Sequence, residues 1–492
     1  MRFLIDTNIL IPLEPTATGD VEAGTARAAM FARLVNQARH HLLLHPESSK
    51  DIDRDGDLVR RDTRRLLASK YPLLSHPPDC AEIEGTVGPA DPDSHDWVDN
   101  HLLAALHADA IDYVVTEDGR MRRKAARLGI AERVLSVDDA VGLLEALSEV
   151  RPQPPPAVDF RPMYSVDLRD PIFDSLRQDY EGFDDWFRRG AREGRHGWIV
   201  TAPDGLCAGL CILKPDDDQY ALGGKVLKVS TFKVAPEHQG NRYGELLLKT
   251  LFDYIRLNSY ERVWVTVFER HMPLVALFEQ FGFDRLQRVS PLGELVYAKS
   301  FRPAPSDLVG LGNLEMHVRF GPPCVQLTAR RTFLVPIQPR FHRMLFPEYP
   351  DPVQPLFQAD PGPFGNALRK AYLCNSAITS ITPGATLLFY RSGDARAVTT
   401  VAVVDSVLRS SSVEQLVRFV GQRTVYSELE IRALARSSVL AILFRQDRFL
   451  EPPVGVRELE SNGVIARAPQ SIMTIRTEEA TRWLTERIGA QS

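Results

Sequence analysis

Along the first 150 residues, short apolar runs of strand length alternate with longer stretches whose apolar positions recur every three or four residues. The short runs are Arg2–Ile5, His41–Leu44, Tyr113–Thr116 and Val134–Val137; the helical stretches are Val21–Ala38, Asp57–Ser69, Trp97–Ala108 and Ala140–Leu147. This alternation predicts an α/β unit on a parallel sheet, with its site at the carboxyl ends of the strands. A second pattern has strands at Gly197–Ala202, Leu206–Leu213 and Lys225–Val234, a helix at Gly244–Asn258, and a strand at Arg262–Phe268. A helix at Leu274–Phe281 and a strand at Glu294–Ser300 complete it, predicting a mixed α+β unit. Beyond Cys324 short β-rich runs dominate: Val325–Thr328, Thr332–Ile337, Thr386–Tyr390, Val398–Val404 and Ser437–Arg445, with a helix at Val413–Gly421. Many short strands predict a small β-barrel.

Proline punctuates the chain twice, at Arg151-Pro-Gln-Pro-Pro-Pro156 and at Phe301-Arg-Pro-Ala-Pro-Ser306, the latter followed by Gly310 and Gly312. Such segments neither continue a helix nor join a sheet interior, so domains are expected at residues 1–150, 158–303 and 318–492. With 44% hydrophobic and 25% charged residues in 492, wholesale disorder and fibrous structure are excluded. No apolar run approaches the roughly 20 residues of a membrane span. Asp6 interrupts the apolar amino terminus, unlike a secretory signal. Cys80, Cys207, Cys211, Cys324 and Cys374 offer no disulfide framework, and a cytoplasmic protein without a membrane partner is expected. Net charge is −9 over residues 1–150, −1 over 151–300 and +5 over 301–492, where 21 Arg accompany a single Lys, Lys370. Arg favours bidentate contacts to phosphate; the other reading of this Arg is plain compositional bias.

Acids cluster at the strand ends of the first segment. Asp6 follows the first strand, Asp118 follows the third, and Asp99 opens the helix before it, while Glu47 and Asp51 follow the second. Carboxylates brought together repel unless a divalent cation neutralises them, and Mg²⁺ or Mn²⁺ prefers such oxygen ligands. Singly, each acid also reads as a turn former or helix cap. Asp6-Thr7-Asn8-Ile9-Leu10, Asp99-Asn-His-Leu-Leu-Ala-Ala-Leu106 and Val114-Val-Thr-Glu-Asp118 resemble PIN-domain ribonucleases over about residues 3–145. The resemblance implies a metal-dependent RNA endonuclease with catalytic acids Asp6, Asp99 and Asp118. It further implies metal ligands Asp6, Asp51, Asp99 and Asp118, and supporting polar residues Thr7, Asn8 and Thr116. The fourth acid departs from the family pattern, and Asp51 and Glu47 both stand near its place.

In the middle segment, Val229–Leu248 runs from a strand through a glycine-containing turn into a helix. Backbone N–H groups and the positive helix end then face one spot, suited to a pyrophosphate. Gly240 and Gly244 permit close approach, and Arg242 can add a direct charge contact. Gln239-Gly-Asn-Arg-Tyr-Gly244, with Leu274-Val-Ala-Leu-Phe-Glu-Gln-Phe-Gly-Phe283, resembles the GNAT acetyltransferases over about residues 160–302. The resemblance implies acetyl-CoA held by Phe232, Val234, Gln239, Gly240, Asn241, Arg242, Tyr243 and Gly244. Arg242 replaces a frequent glycine. Phe278 stands where many members have a proton-donating Tyr, and a phenyl ring donates nothing. Glu237, His238, His271 and Tyr297 remain open as acid or base.

The turn-and-strand order of the last segment resembles PUA-like domains of the ASCH and EVE type, which implies RNA or modified-nucleobase binding. Arg369, Lys370, Tyr372, Arg391, Arg423 and Tyr426 are the candidates for phosphate contact and stacking; each alone also reads as a salt-bridged or core residue. Together these features predict a metal-dependent RNA endonuclease joined to an acetyl-CoA-dependent N-acetyltransferase acting on RNA or tRNA-linked substrates. By analogy such a protein is toxin-like, with an antitoxin-like partner. Two alternatives stand beside it: a protein- or small-molecule-directed acetyltransferase with an inactive PIN-like scaffold, and a non-catalytic acyl-CoA sensor that grips nucleic acid.

Overall fold

The computed structural model describes residues 1–14, 24–147, 157–202, 205–238, 240–349 and 363–489. The chain forms two compact units. One holds Met1–Val150 with Ser412–Gln422 and Ser427–Leu429; the other holds Arg151–Ser411, Arg423–Tyr426 and Glu430–Ser492.

The first unit is built on four parallel strands, β1 (Arg2–Ile5), β2 (His41–Leu43), β3 (Tyr113–Val115) and β4 (Val134–Leu135), in the order β2-β1-β3-β4. Phe3, Leu4 and Ile5 are all fully buried, as a strand covered on both faces requires. Phe3 meets Phe31 of the Thr25–Gln37 helix edge-on at 5.6 Å, while Leu4 packs with Val98 and Leu102 of the His95–His107 helix. The start of the expected Val21–Ala38 helix lies outside the described residues. Four helices escape the pattern reading: Thr7–Leu13, Ser48–Asp53, Ala81–Val87 and Gly119–Arg127. The last buries only Met121 and Ala125, an apolar stripe too narrow to stand out among its five basic residues. A late helix, Val413–Val420, belongs to this unit; its Arg418 pairs with Asp109 at 2.9 Å and Asp112 at 3.5 Å.

The second unit contains two sheets. Strands β5 (Ala157–Pro162), β6 (His196–Thr201), β7 (Cys207–Pro215), β8 (Val226–Val234), β9 (Arg262–Val267), β10 (Asp284–Val289) and β11 (Leu295–Ser300) form the first. Their order is β10-β11-β9-β8-β7-β6-β5, and only the β8–β9 pair is parallel. That pairing stops at Val229–Val265, although both strands continue, so β8 and β9 part toward their carboxyl ends. A bulge at Ser230 shifts the β7–β8 register there: Leu213 faces Val229 but Ile212 faces Thr231. The bulge turns Phe232 to the same side as Val229, into the core under the Tyr243–Leu257 and Met272–Gln280 helices.

The other sheet holds β12 (Thr332–Ile337), β13 (Arg369–Cys374), β14 (Thr386–Arg391), β15 (Ala397–Ser410), β16 (Val439–Gly455) and β17 (Met473–Thr474), in the order β13-β16-β15-β14-β12-β17. The expected run of many short strands is corrected: β15 and β16 span 14 and 17 residues, and bulges between them let long strands bend. The ends of this sheet are not paired strand to strand among the described residues; Tyr372 of β13 instead donates to the Pro336 carbonyl of β12 at 2.8 Å. Val325–Thr328 is not a strand, because the Asp447 carboxylate takes the N–H groups of Cys324 and Val325 at 2.8 and 3.2 Å. The Asn313–Phe320 helix approaches the first sheet's turn at Gly282, whose φ of +76° suits glycine; a Cβ there would lie 1.8 Å from the Val318 carbonyl oxygen. Lys299 donates to that same oxygen at 2.6 Å.

Candidate functional site

In the first unit Asp6 caps the short Thr7–Leu13 helix, its Oδ1 accepting from Thr7 N at 2.6 Å. Its Oδ2 accepts from the Thr116 hydroxyl and from Asn8 Nδ2, both at 2.7 Å. Thr7, Asn8 and Thr116 thus orient this carboxylate. Burial, and then Asp51, push the Asp6 carboxyl above its ordinary value. Asp99 is pushed up to about 7 by burial and then by Asp6, with Asp118 adding to the effect against the field of Lys124. Asp118 caps the Gly119–Arg127 helix through Arg120 N at 2.6 Å. Asp51 accepts from the Thr7 hydroxyl at 3.2 Å and pairs with Arg54 and with His95, the latter at 2.8 Å. Glu47 is drawn off to Trp97 Nε1 at 2.8 Å and Lys50 at 2.7 Å. Four acids remote in sequence therefore feel one another, and Glu47 is held elsewhere.

The arrangement corrects the expected metal set. Among the described residues no three His, Cys, Asp or Glu side chains converge closely enough to hold an ion. Arg54 occupies an oxygen of Asp51 and the helix cap occupies one of Asp118. As placed, Asp6, Asp51, Asp99 and Asp118 do not fit Mg²⁺ or Mn²⁺ as a ligand set.

In the second unit, Gly240 (φ +84°) and Arg242 (φ +55°) turn the chain after β8 into the Tyr243–Leu257 helix. The first helical bond runs from Leu246 N to Arg242 O, so the N–H groups of the first turn are directed out of the helix end. Gly244 sits where a Cβ would come within 2.9 Å of Leu277, so its smallness also serves helix packing. Phe232 and Tyr243 are buried, Val234 packs against the same core, and Phe232 meets Phe278 edge-on at 5.4 Å. Gln239 lies outside the described residues. The expected role of Arg242 is corrected: its guanidinium turns back to Glu245 on the same helix. The Glu245 carboxylate also accepts from Leu368 N at 2.8 Å and Arg369 N at 3.3 Å, and Asn366 Nδ2 donates to the Asn241 carbonyl at 2.9 Å. The second sheet thus buttresses the loop through backbone that no motif marks.

Of the open acid–base candidates, Tyr297 lies on the helix side of the sheet and donates to Glu279 at 2.8 Å. His271 faces Asp179 at 2.8 Å, and His238 stands 6.1 Å from the Tyr243 ring. On the opposite face, at the level where β8 and β9 part, pattern reading missed Glu294, bound by the hydroxyls of Tyr180 at 2.6 Å and Ser290 at 2.9 Å. Its place just before a strand was the only signal.

The proposed phosphate and base contacts of the last segment are corrected. Lys370, Arg391 and Arg423 are buried, and Arg369 pairs with Asp405 at 2.5 Å. Tyr372 and Tyr426 are buried as well; the Tyr426 hydroxyl donates to the Leu373 carbonyl at 3.1 Å. Carboxylates hold Arg369 and Arg391, and backbone carbonyls accept from Lys370, Tyr372 and Tyr426. Tyr372 and Tyr426 line one wall of a cavity of about 700 Å³ with Phe341, Asn375 and Gln470.

No curated protein sequence matches the chain. Among solved structures, ASCH from Zymomonas mobilis is 15% identical, with 32% of this chain and 95% of that chain covered and a TM-score of 0.25. A GNAT family acetyltransferase from Elizabethkingia anophelis with acetyl-CoA bound is 12% identical, covering 29% of this chain and 97% of that chain, at a TM-score of 0.22. No helix among the described residues is long and apolar enough to cross a membrane. Residues 160–283 match the profile of the acetyltransferase (GNAT) family, and the chain carries an acetyltransferase domain of that family.

Proposed function

We propose that the chain transfers an acetyl group from acetyl-CoA to a primary amine in its second unit. One observation carries this reading. The parting of β8 and β9 beyond Val229 and Val265 opens a slot beside the Gly240–Arg242 turn and the end of a 15-residue helix. The residues present fit the donor: first-turn N–H groups and the helix dipole suit a pyrophosphate, and strand edges freed at the split suit an extended amide-bearing arm. When bound, acetyl-CoA supplies an acetyl group activated as a thioester. Phe278 is fully buried in the core and leaves proton transfer to other groups. Calorimetric titration of the full chain with acetyl-CoA is expected to show 1:1 binding. Gly240→Val, which forces a branched residue into a left-handed turn, is expected to weaken it at least tenfold. Absence of binding to the unaltered chain would refute the reading.

The crowded acids favour a second reading of the first unit, as a site that acts on RNA. It is supported by the mutual influence of Asp6, Asp51, Asp99 and Asp118 and by the Thr7, Asn8 and Thr116 frame around Asp6. Because these acids do not converge on an ion, no hydrolytic step is derived. Total RNA incubated with the full chain is expected to yield products that disappear in Asp6→Asn and Asp118→Asn. Products that persist in both variants would assign the cleavage elsewhere and leave the first unit a scaffold.

A further inference from the structure

Glu294 is 4% exposed and makes no ion pair among the described residues. A buried carboxylate is costly unless hydrogen bonds or charges compensate it. Both oxygens meet hydroxyls, Tyr180 at 2.6 Å and Ser290 at 2.9 Å, which supply that compensation. Ser290 is itself fixed by a tight turn, its hydroxyl accepting from Glu294 N at 3.2 Å.

The place of this group in the sheet is as telling as its burial. Leu295 pairs with Val267 at the end of β9, so Glu294 lies level with Phe268, beyond the last β8–β9 pair. Leu295 faces the helix side with Val267. By strand alternation Glu294 faces the other side, with Thr266, Trp264 and Lys228. The Tyr180 ring lies 5.4 Å from the Phe268 ring and closes that side. Trp264 and Tyr220 meet edge-on at 4.8 Å, and the Tyr220 hydroxyl is buried with no hydrogen-bond partner among the described residues. The Ser230 hydroxyl at the bulge is likewise buried with no partner among the described residues. Lys228 stands over the Trp264 ring at 4.4 Å rather than against Glu294. A buried acid, two hydroxyls with no partner among the described residues and aromatic walls thus gather on one side of the split.

We propose that Glu294 is the catalytic residue that receives the acceptor as an ammonium ion and takes its proton, with Tyr180 and Ser290 as positioning residues. This rests on the acetyltransferase reading above. The carboxylate takes one proton from R–NH₃⁺ and frees the nitrogen lone pair. The nitrogen attacks the acetyl carbonyl carbon, the C–N bond forms, and the C–S bond breaks. The departing thiolate takes a second proton from nitrogen, and Glu294 returns the first to solvent. The sum is R–NH₃⁺ plus acetyl-CoA to the N-acetyl amide, coenzyme A and H⁺.

The test uses the full chain with acetyl-CoA, n-butylamine and tyramine as probes, and n-butanol as the uncharged counterpart. Coenzyme A affinity is followed by calorimetry and thiol release by absorbance. The expected result is release with the amines and none with butanol. Glu294→Gln should lose on the order of 10²–10⁴ in kcat while its coenzyme A Kd stays within about twofold, and Glu294→Asp should recover part of the loss. Tyr180→Phe, which keeps the ring, should lose about tenfold in kcat with coenzyme A affinity unchanged. It carries the test if Glu294→Gln fails to fold. Wild-type turnover in Glu294→Gln, or coenzyme A binding with no amine accepted, overturns the assignment. An unaltered chain that binds no coenzyme A overturns the acetyltransferase reading beneath it.

Discussion

The acid pocket of the first unit and the charged seam of the second bury similar groups under opposite conditions. Asp6 and Asp99 lie among like charges, and burial and neighbouring carboxylates together raise both. In the seam, burial also acts to raise Glu245, but Arg242 and Arg423 outweigh it and hold the carboxyl below its ordinary value. Asp405 is held low in the same way, by Arg369 and Arg445 against burial. Opposite charges brought together tie segments of a fold to one another. Like charges brought together hold nothing, and a structure that tolerates them marks a place of use.

The comparison breaks first, and by most, at Glu245. Glu245→Ala removes the partner of Arg242 and the acceptor of two backbone N–H groups, from Leu368 and Arg369. Loss of one member of such a buried set costs about 3–5 kcal/mol, read as a fall in the denaturant midpoint. A loss below about 1 kcal/mol would make the seam no different from a surface pair. Acetyl-CoA affinity is expected to fall with it, since the same residue steadies the Gly240–Arg242 turn.

Asp99→Asn should act in the opposite direction. Asp99 titrates at about 7 in the folded chain against an ordinary value of 3.8. Between those two values the folded chain keeps a proton that the unfolded chain has released, so stability falls as pH rises through that window. The full penalty, about 2–4 kcal/mol, is present above pH 7 and absent below about pH 4. The variant should therefore melt higher than the unaltered chain at pH 8 and alike at pH 4. Destabilisation at pH 8 would mean that the crowding is relieved by some other group.

The smallest expected effect sharpens the contrast within the acid pocket. Thr116 donates to Asp6 and accepts from Asn8 Nδ2 and Asp118 N, both at 3.0 Å. Thr116→Val should cost about 1 kcal/mol and, by removing a donor to the carboxylate, raise Asp6 further. A nuclear magnetic resonance titration of the Asp6 carboxyl would read that shift; a lowered value would count against the role given to Thr116.

Much of the local architecture was legible along the chain. Apolar runs at Arg2–Ile5 and Tyr113–Thr116, each followed by an acid, placed strand and carboxylate together because a parallel sheet lines up its strand ends. The glycine turn before Tyr243–Leu257 was legible because Gly240 and the apolar periodicity behind it are both local signals. The Gly119–Arg127 helix was not, since its burial is confined to two side chains. Nor was the fate of Arg369, Lys370 and Arg423: composition distinguishes no paired arginine from a phosphate-binding one. Glu294 was hidden for the same reason, as only the pairing of Leu295 with Val267 reveals which face and which end of the sheet it occupies.

By itself, the sequence determined strands such as Arg2–Ile5, Tyr113–Val115 and Val226–Val234, the acids at strand ends and the turn that leads into the Tyr243–Leu257 helix. These depend on periodicity and on backbone preferences that act over a few residues. The tertiary structure alone decided that Asp51 rather than Glu47 joins the acids, that Arg242 turns to Glu245, and that Glu294 is buried against the hydroxyls of Tyr180 and Ser290. Those outcomes depend on the company a charge keeps across tens to hundreds of residues. The energy of a buried charge is set by that company and not by its neighbours along the chain.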